Sequence, residues 1–166
     1  KRDFAPQGDE VKMYVCGVTP YSSAHVGHAM SYVYFDTLRR YLEFLGYQVK
    51  HVQNFTDIDD KIITEAGIQG TSPVMLVEEL VEEYLMDMAN LNVQPAHIYP
   101  RVTDEIQKII EMIEGLIEKG FAYESEGDVY YRVTKFRDYG KLSHRTLEGM
   151  LAGARVEPNL RKDHAM

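Results

Sequence analysis

A second cysteine is missing. Cys16 stands alone among 166 residues, so no disulfide can close within the chain, and a reducing, cytoplasmic setting is expected. No stretch approaches the roughly 18 consecutive apolar residues that a membrane span needs, so no membrane partner is expected. The polar start, Lys1 to Gly8, lacks the apolar segment of a secretory signal. No methionine stands at position 1, which suggests a processed chain or a segment of something longer. Positive charge is also short: the formal net charge is -8. An acidic surface repels nucleic-acid backbones, so a surface for such a partner must lie elsewhere or be very local. Internal repeats and low-complexity tracts are absent too. What remains is 45% hydrophobic and 27% charged, the balance of an ordinary globular protein with a sizeable core.

Periodicity orders the chain. Val11 to Cys16 alternates and is rich in β-formers, which predicts a strand; Gly17 to Ala24 is turn-rich. From His25 the spacing turns helical, with Ala29, Val33, Tyr34, Leu38, Tyr41, Leu42 and Leu45 as the apolar face and Gly46 as the stop. Gln48 to Asn54 alternates again. Strand, loop, helix and strand at this spacing make a βαβ crossover, which requires a parallel sheet. A short helix is expected over Asp57 to Ala66, then a loop to Gly70. A helix follows, capped by Ser72 with Pro73 in its first position and Val77, Leu80, Val81, Tyr84, Met88 and Leu91 facing the core. Pro95 and Pro100 bracket a connector, and Thr103 is expected to cap a third helix with Ile106, Ile109, Ile110, Ile113, Leu116 and Ile117 on one face. Around Gly127-Asp128 two β-like runs give a hairpin signal. The change of character puts a boundary near residue 121, with residues 1–121 as an α/β domain and 122–166 as a separate region.

The chemistry concentrates between Val15 and Met30. In an open α/β sheet ligands bind beyond the carboxyl ends of the strands. A helix N-terminus there offers free N–H groups and positive dipole charge to a phosphate. His25 and His28 add side-chain donors, and Gly27, with no Cβ, lets a nucleotide approach the backbone. Such donors stabilise charge that builds on an α-phosphate during nucleotidyl transfer. Taken alone, His25-Val26-Gly27-His28 equally describes a helix start with two exposed histidines and a packing glycine. Cys16 alone reads as a small buried apolar residue. Asp59 and Asp60 read as a helix cap, and with Asp57 they lack the spacing of an EF-hand.

Together the motifs say more. Val15-Cys16-Gly17-Val18-Thr19-Pro20-Tyr21 followed by His25-Val26-Gly27-His28 resembles the first signature of class I aminoacyl-tRNA synthetases in its cysteine-specific form. Val52 to Ile63, with Asn54-Phe55-Thr56-Asp57-Ile58-Asp59-Asp60-Lys61, is similar to that family's second hallmark. Tyr139-Gly140-Lys141-Leu142-Ser143 and Ala152-Gly153-Ala154-Arg155-Val156 resemble its inserted connective region. The resemblance implies the first half of a Rossmann-like parallel-sheet nucleotide-binding domain and the start of a β-containing connective insertion. It implies ATP with Mg²⁺, L-cysteine and tRNA(Cys) as partners of the full-length enzyme. By the same resemblance Thr19, His25, Gly27 and His28 face ATP, the two histidines being catalytic, and Cys16, Gly17 and Thr56 face cysteine.

Cys16 is further implied as one of four zinc ligands that grip the substrate thiolate, a soft ligand that zinc prefers over a serine hydroxyl. His28, His51, His97, His144 and His164 make no zinc motif with it. Proline at position 20 and serine at 22 depart from the family's usual branched apolar residue and aspartate. The second half of the nucleotide fold, the other zinc ligands, the Lys-Met-Ser-Lys-Ser loop and the anticodon-binding domain have no counterpart here, so the chain alone is expected not to complete aminoacylation. A cysteine ligase of thiol biosynthesis, a small nucleotidylyltransferase and a stand-alone nucleotide-binding domain are the competing readings.

Overall fold

The computed structural model describes residues 4–6, 8, 10–146 and 149. The Ala152 to Val156 motif and His164 lie outside them. β1 (Glu10–Val15) and β2 (Gln48–Gln53) pair in parallel, from Glu10 beside Gln48 to Val15 beside Gln53. The chain between them contains α1 (Val26–Phe44). Both strands run the same way, so the loops that leave them at Cys16 and Asn54 start side by side. Gly46, at φ 93°, takes the left-handed turn that leads α1 into β2.

The connector after residue 91 is more ordered than its prolines suggest. Ile98 and Arg101 form parallel bridges with Val52 and Phe55. Gln53 N–H donates to the Ile98 carbonyl at 3.0 Å and Phe55 N–H to the Pro100 carbonyl at 2.9 Å. A third extended segment therefore flanks β2. Proline can sit there because an edge segment need not donate every N–H.

Of the expected apolar face of α1 only Leu42 is buried. Tyr32, Asp36, Arg39 and Leu42 are buried, whereas Val33, Tyr34, Leu38, Tyr41 and Leu45 are exposed. Polar bonding to the connector turns the helix. Asp36 accepts from Arg40 Nε at 2.6 Å and from Gln94 N–H at 3.0 Å. Arg39 donates to the Pro95 carbonyl at 2.8 Å, and Arg40 to the Asn92 carbonyl at 2.7 Å. Buried charges survive only when paired and hydrogen-bonded in this way.

α2 (Asp60–Gln69) starts three residues later than expected. Asp59 caps it by accepting from Lys61 N–H, and Gly70 ends it at φ 67°. α3 (Pro73–Asn90) is capped by Ser72 as expected, and buries Leu76, Val77, Val81, Tyr84 and Met88. Of these, Val77, Val81, Tyr84 and Met88 meet Val15, Val18, Tyr32, Phe55 and Ile62 in a core gathered beneath the carboxyl ends of the strands. Thr103 does not cap a helix. It sits in a 3₁₀ turn, Val102–Glu105, and its N–H and hydroxyl both bond the Asp57 carboxylate. Asp57 is thus committed to this turn and not to the start of α2.

Two compact units divide at Ile106/Gln107, whereas the change from helix to hairpin falls near residue 121. α4 (Ile106–Glu118) buries none of its residues. In the second unit β3 (Ala122–Ser125) and β4 (Asp128–Tyr131) form an antiparallel hairpin. Its turn residues Glu126 and Gly127 both take positive φ, 50° and 87°, the geometry that suits the twist of a two-residue hairpin. Phe121, Tyr131 and Tyr139 stack in sequence, and the Arg132 guanidinium lies 4.3 Å over Tyr123.

Candidate active site at the strand ends

Asn54 joins the two strand ends. Its Oδ1 accepts from Gly17 N–H at 2.8 Å and from the Tyr14 hydroxyl at 2.9 Å, and its Nδ2 donates to Thr56 Oγ1 at 3.2 Å. Gly17 lies so close that a Cβ there would stand 1.5 Å from the Asn54 carbonyl oxygen. Thr56 N–H donates to the Val18 carbonyl at 3.0 Å, which ties the second loop to the first. Behind them the Tyr32 hydroxyl donates to the Cys16 carbonyl at 3.1 Å, and Gln53 donates to the Tyr84 hydroxyl at 2.6 Å. Burial pushes the Tyr32 phenol up to about 12 and raises that of Tyr84 further, so both stay protonated. Cys16, Gly17 and Thr56 are thereby brought to one place. Asn54, Tyr14 and Tyr32 were not singled out from sequence, although a polar residue ending a buried strand opposite a glycine was a usable signal.

His25 and His28 cap α1 reciprocally. His25 Nδ1 accepts from Gly27 N–H at 3.0 Å, and His28 Nδ1 accepts from His25 N–H at 3.3 Å. The rings stack with centroids 4.0 Å apart and planes 15° from parallel. A neutral imidazole that accepts at Nδ1 carries its proton on Nε2. The cap therefore leaves two Nε2–H donors at the helix start, where backbone N–H groups and the dipole already favour an anion. Partial burial, and next the neighbouring His25 charge, hold the His28 pKa below its ordinary value, which keeps that ring neutral near pH 7. Gly27 faces the His25 ring: a Cβ would meet its Cε1 at 2.8 Å.

Thr19, Pro20, Tyr21, His28 and Tyr84 line a cleft beside this cap. Pro20 is buried in its wall, while Ser22 is exposed. Lys61 reaches from the start of α2 to within 5.1 Å of the Tyr21 ring centroid, a cation–π contact that holds the loop toward the second motif.

Cys16 is exposed, not the small buried residue that a lone cysteine suggests. Among the described residues no three of His, Cys, Asp and Glu gather as a metal site. His51 is buried on β2, with its N–H bonded to His97 Nδ1 at 2.9 Å. Burial first, and then Arg39, lower its pKa, so it is a neutral core residue. Among the described residues no helix is long and apolar enough to cross a membrane.

Comparison with known proteins identifies the family. A family model described as the class I (C) tRNA synthetase catalytic domain matches residues 4–166. A cysteine–tRNA ligase of Dehalococcoides mccartyi strain 195 is 59% identical over 165 residues, covering 99% of this chain and 36% of that protein. The cysteine–tRNA ligase of Aquifex aeolicus is 54% identical, over 96% of this chain and 32% of its own length. The chain thus spans about a third of the length of these curated relatives. Among solved structures, Mycobacterium tuberculosis methionyl-tRNA synthetase bound by methionyl-adenylate superposes with a TM-score of 0.61. It shares 21% identity and covers 68% of this chain and 23% of its own. At that identity the likeness speaks for the α/β, Rossmann-like fold alone.

Proposed function

Because the chain belongs to the class I (C) tRNA synthetase catalytic-domain family, we propose that it forms the ATP- and amino-acid-binding half of a cysteine–tRNA ligase. In that role the carboxylate of L-cysteine attacks the α-phosphorus of ATP, pyrophosphate leaves, and the cysteinyl group then passes to tRNA(Cys). The reciprocal histidine cap carries the proposal. Its two Nε2–H donors beside a helix start suit the charge that builds on the α-phosphate. Thr19 and Gly27 line the approach of the nucleotide, whose phosphates bring Mg²⁺. Cys16, Gly17 and Thr56 face the amino acid. The test is cysteine-dependent exchange of pyrophosphate into ATP by a full-length protein carrying this sequence. Exchange with cysteine but not serine is expected; its absence overturns the proposal. Thr19-Pro20-Tyr21 also suits a cysteine ligase that acts on an amino-sugar, and charging of tRNA against coupling to the sugar separates the two.

Zinc is the finer part of the family's chemistry, and the ligands described here do not suffice for it. One exposed thiolate cannot hold Zn²⁺ against water, because a stable site takes three or four protein ligands. No step above is therefore routed through it. The 166-residue chain is expected to bind no stoichiometric zinc after mild chelation, by metal analysis. Retained zinc would mean that Cys16 has partners outside the described residues.

The tRNA partner needs a local cationic surface on an acidic chain. Between Arg132 and Arg145, the cations Arg132, Lys135, Arg137, Lys141 and Arg145 stand against Asp138 alone. Exposed Tyr131, Phe136 and Tyr139 lie in and beside the same segment. Cations and exposed rings together suit an RNA strand, through phosphate contacts and stacking. Changing Arg137, Lys141 and Arg145 to glutamate is expected to weaken tRNA binding roughly tenfold or more at ~0.1 M salt and to flatten its salt dependence. An unchanged binding curve would exclude this segment.

A further inference from the structure

The polarity of the Asn54 side chain is determined by its neighbours. A backbone N–H can only donate, so the atom facing Gly17 N at 2.8 Å must be the carboxamide oxygen. The same oxygen takes the Tyr14 hydroxyl. The amide nitrogen must then face Thr56 Oγ1, 3.2 Å away, and it too can only donate. Thr56 Oγ1 therefore spends a lone pair on Asn54, and its own proton is left for another acceptor.

We infer that Asn54 is a positioning residue that makes Thr56 a hydrogen-bond donor to the substrate. This inference rests on the strand-end site being the amino-acid site, and it deepens that reading by naming the atom Thr56 takes. A hydroxyl held in this way meets an electron-rich group, the thiol sulfur or a carboxylate oxygen. The ammonium, itself only a donor, cannot take that proton; a contact there would use the second lone pair of the hydroxyl, and the analogues below separate the two. The Asn54 network spans the end of β1, the loop after it and the loop after β2. The orientation of Thr56 is thus set by the two strand ends and not by a flexible side chain.

Asn54→Asp tests the polarity without changing the shape. One carboxylate oxygen still accepts from Gly17 N–H and Tyr14. The other has no proton to donate, so it takes the Thr56 hydroxyl proton for itself. In a full-length protein carrying this sequence, the KM for cysteine should rise roughly ten- to hundredfold, the worth of one hydrogen bond to a charged group. The KM for ATP should stay within about twofold, since only the amino-acid contact is lost. Thr56→Val should raise the cysteine KM by a similar factor. The double variant should be no worse than either single one, because both remove the same bond.

The outcomes separate cleanly. An unchanged cysteine KM in Thr56→Val overturns the placing of the amino acid at the strand ends. A raised KM in Thr56→Val with an unchanged one in Asn54→Asp overturns the role of Asn54, as does full additivity of the two. If Asn54→Asp does not fold, binding is compared between the unsubstituted protein and Thr56→Val with two cysteine analogues. Cysteamine lacks the carboxylate and 2-aminobutyrate lacks the thiol. The Thr56→Val penalty should vanish for one of them. A penalty that persists with both means that Thr56 meets the ammonium, and the inference fails.

Discussion

Replacing Gly17 by alanine is expected to destabilise the protein by about 3 kcal/mol or more, the upper end of what overpacking costs. The added Cβ would stand 1.5 Å from the Asn54 carbonyl oxygen and 2.6 Å from its carbon. Both are backbone atoms, so no rotamer change relieves the contact. The strand ends must move apart, and the bonds that join them go together: Gly17 N–H to Asn54 Oδ1, and Thr56 N–H to the Val18 carbonyl. Gly27→Ala is the control. Its Cβ meets only the edge of the His25 imidazole, at 2.8 and 3.0 Å, and a side chain can swing aside. The cost there is a disturbed helix cap, about 1 kcal/mol. Urea unfolding measures both, a lower midpoint at constant slope reporting lost stability. A Gly17→Ala protein as stable as the parent would mean that the strand ends are not packed as described.

Legibility in the sequence followed the range of the interaction. The parallel strand pair, the Ser72-capped helix and the hairpin follow from periodicity, capping and turn chemistry, and each was readable, although the turn falls at Glu126-Gly127, one residue before the expected Gly127-Asp128. The buried face of α1 depends on Asp36, Arg39 and Arg40 finding backbone partners between Asn92 and Pro95. Nothing in the helix's own spacing shows that, so of the face chosen by apolar periodicity only Leu42 is buried. Thr103 was misjudged for the same reason, because its partner Asp57 lies 46 residues away. At the site, the histidine motif was legible from its place at a helix start, whereas Cys16, Gly17 and Thr56 were named only through the family resemblance. Asn54 carried no role in that pattern, since its importance lies in bonds across 37 and 40 residues.

The largest functional effect is expected from the histidine pair. Changing both His25 and His28 to alanine in a full-length protein should slow cysteine-dependent pyrophosphate exchange by about a thousandfold or more. Loss of one preorganised donor to a developing anion already costs about 10²–10³. The cost in stability should be only about 1–2 kcal/mol, the range for losing a helix cap. Asparagine separates the two roles. Its side-chain oxygen caps a helix well, but its short amide does not reach the Nε2 position. The double asparagine variant should therefore regain most of the stability and little of the rate. Acid gives an independent check. His28 has its pKa lowered by burial and by His25, so below the ordinary histidine value of about 6.5 the unfolded chain takes a proton that the folded one resists. The stabilisation from a neutral His28 is complete above that pH and is lost as the pH falls through the folded value. Protonation of His28 also turns its accepting Nδ1 into a donor facing the His25 N–H, and that half of the cap opens. The parent should lose stability in this acid window while the double asparagine variant shows a shallower loss. If the asparagine pair regains the rate together with the stability, the rings serve only as caps, and the phosphate must be held by other groups.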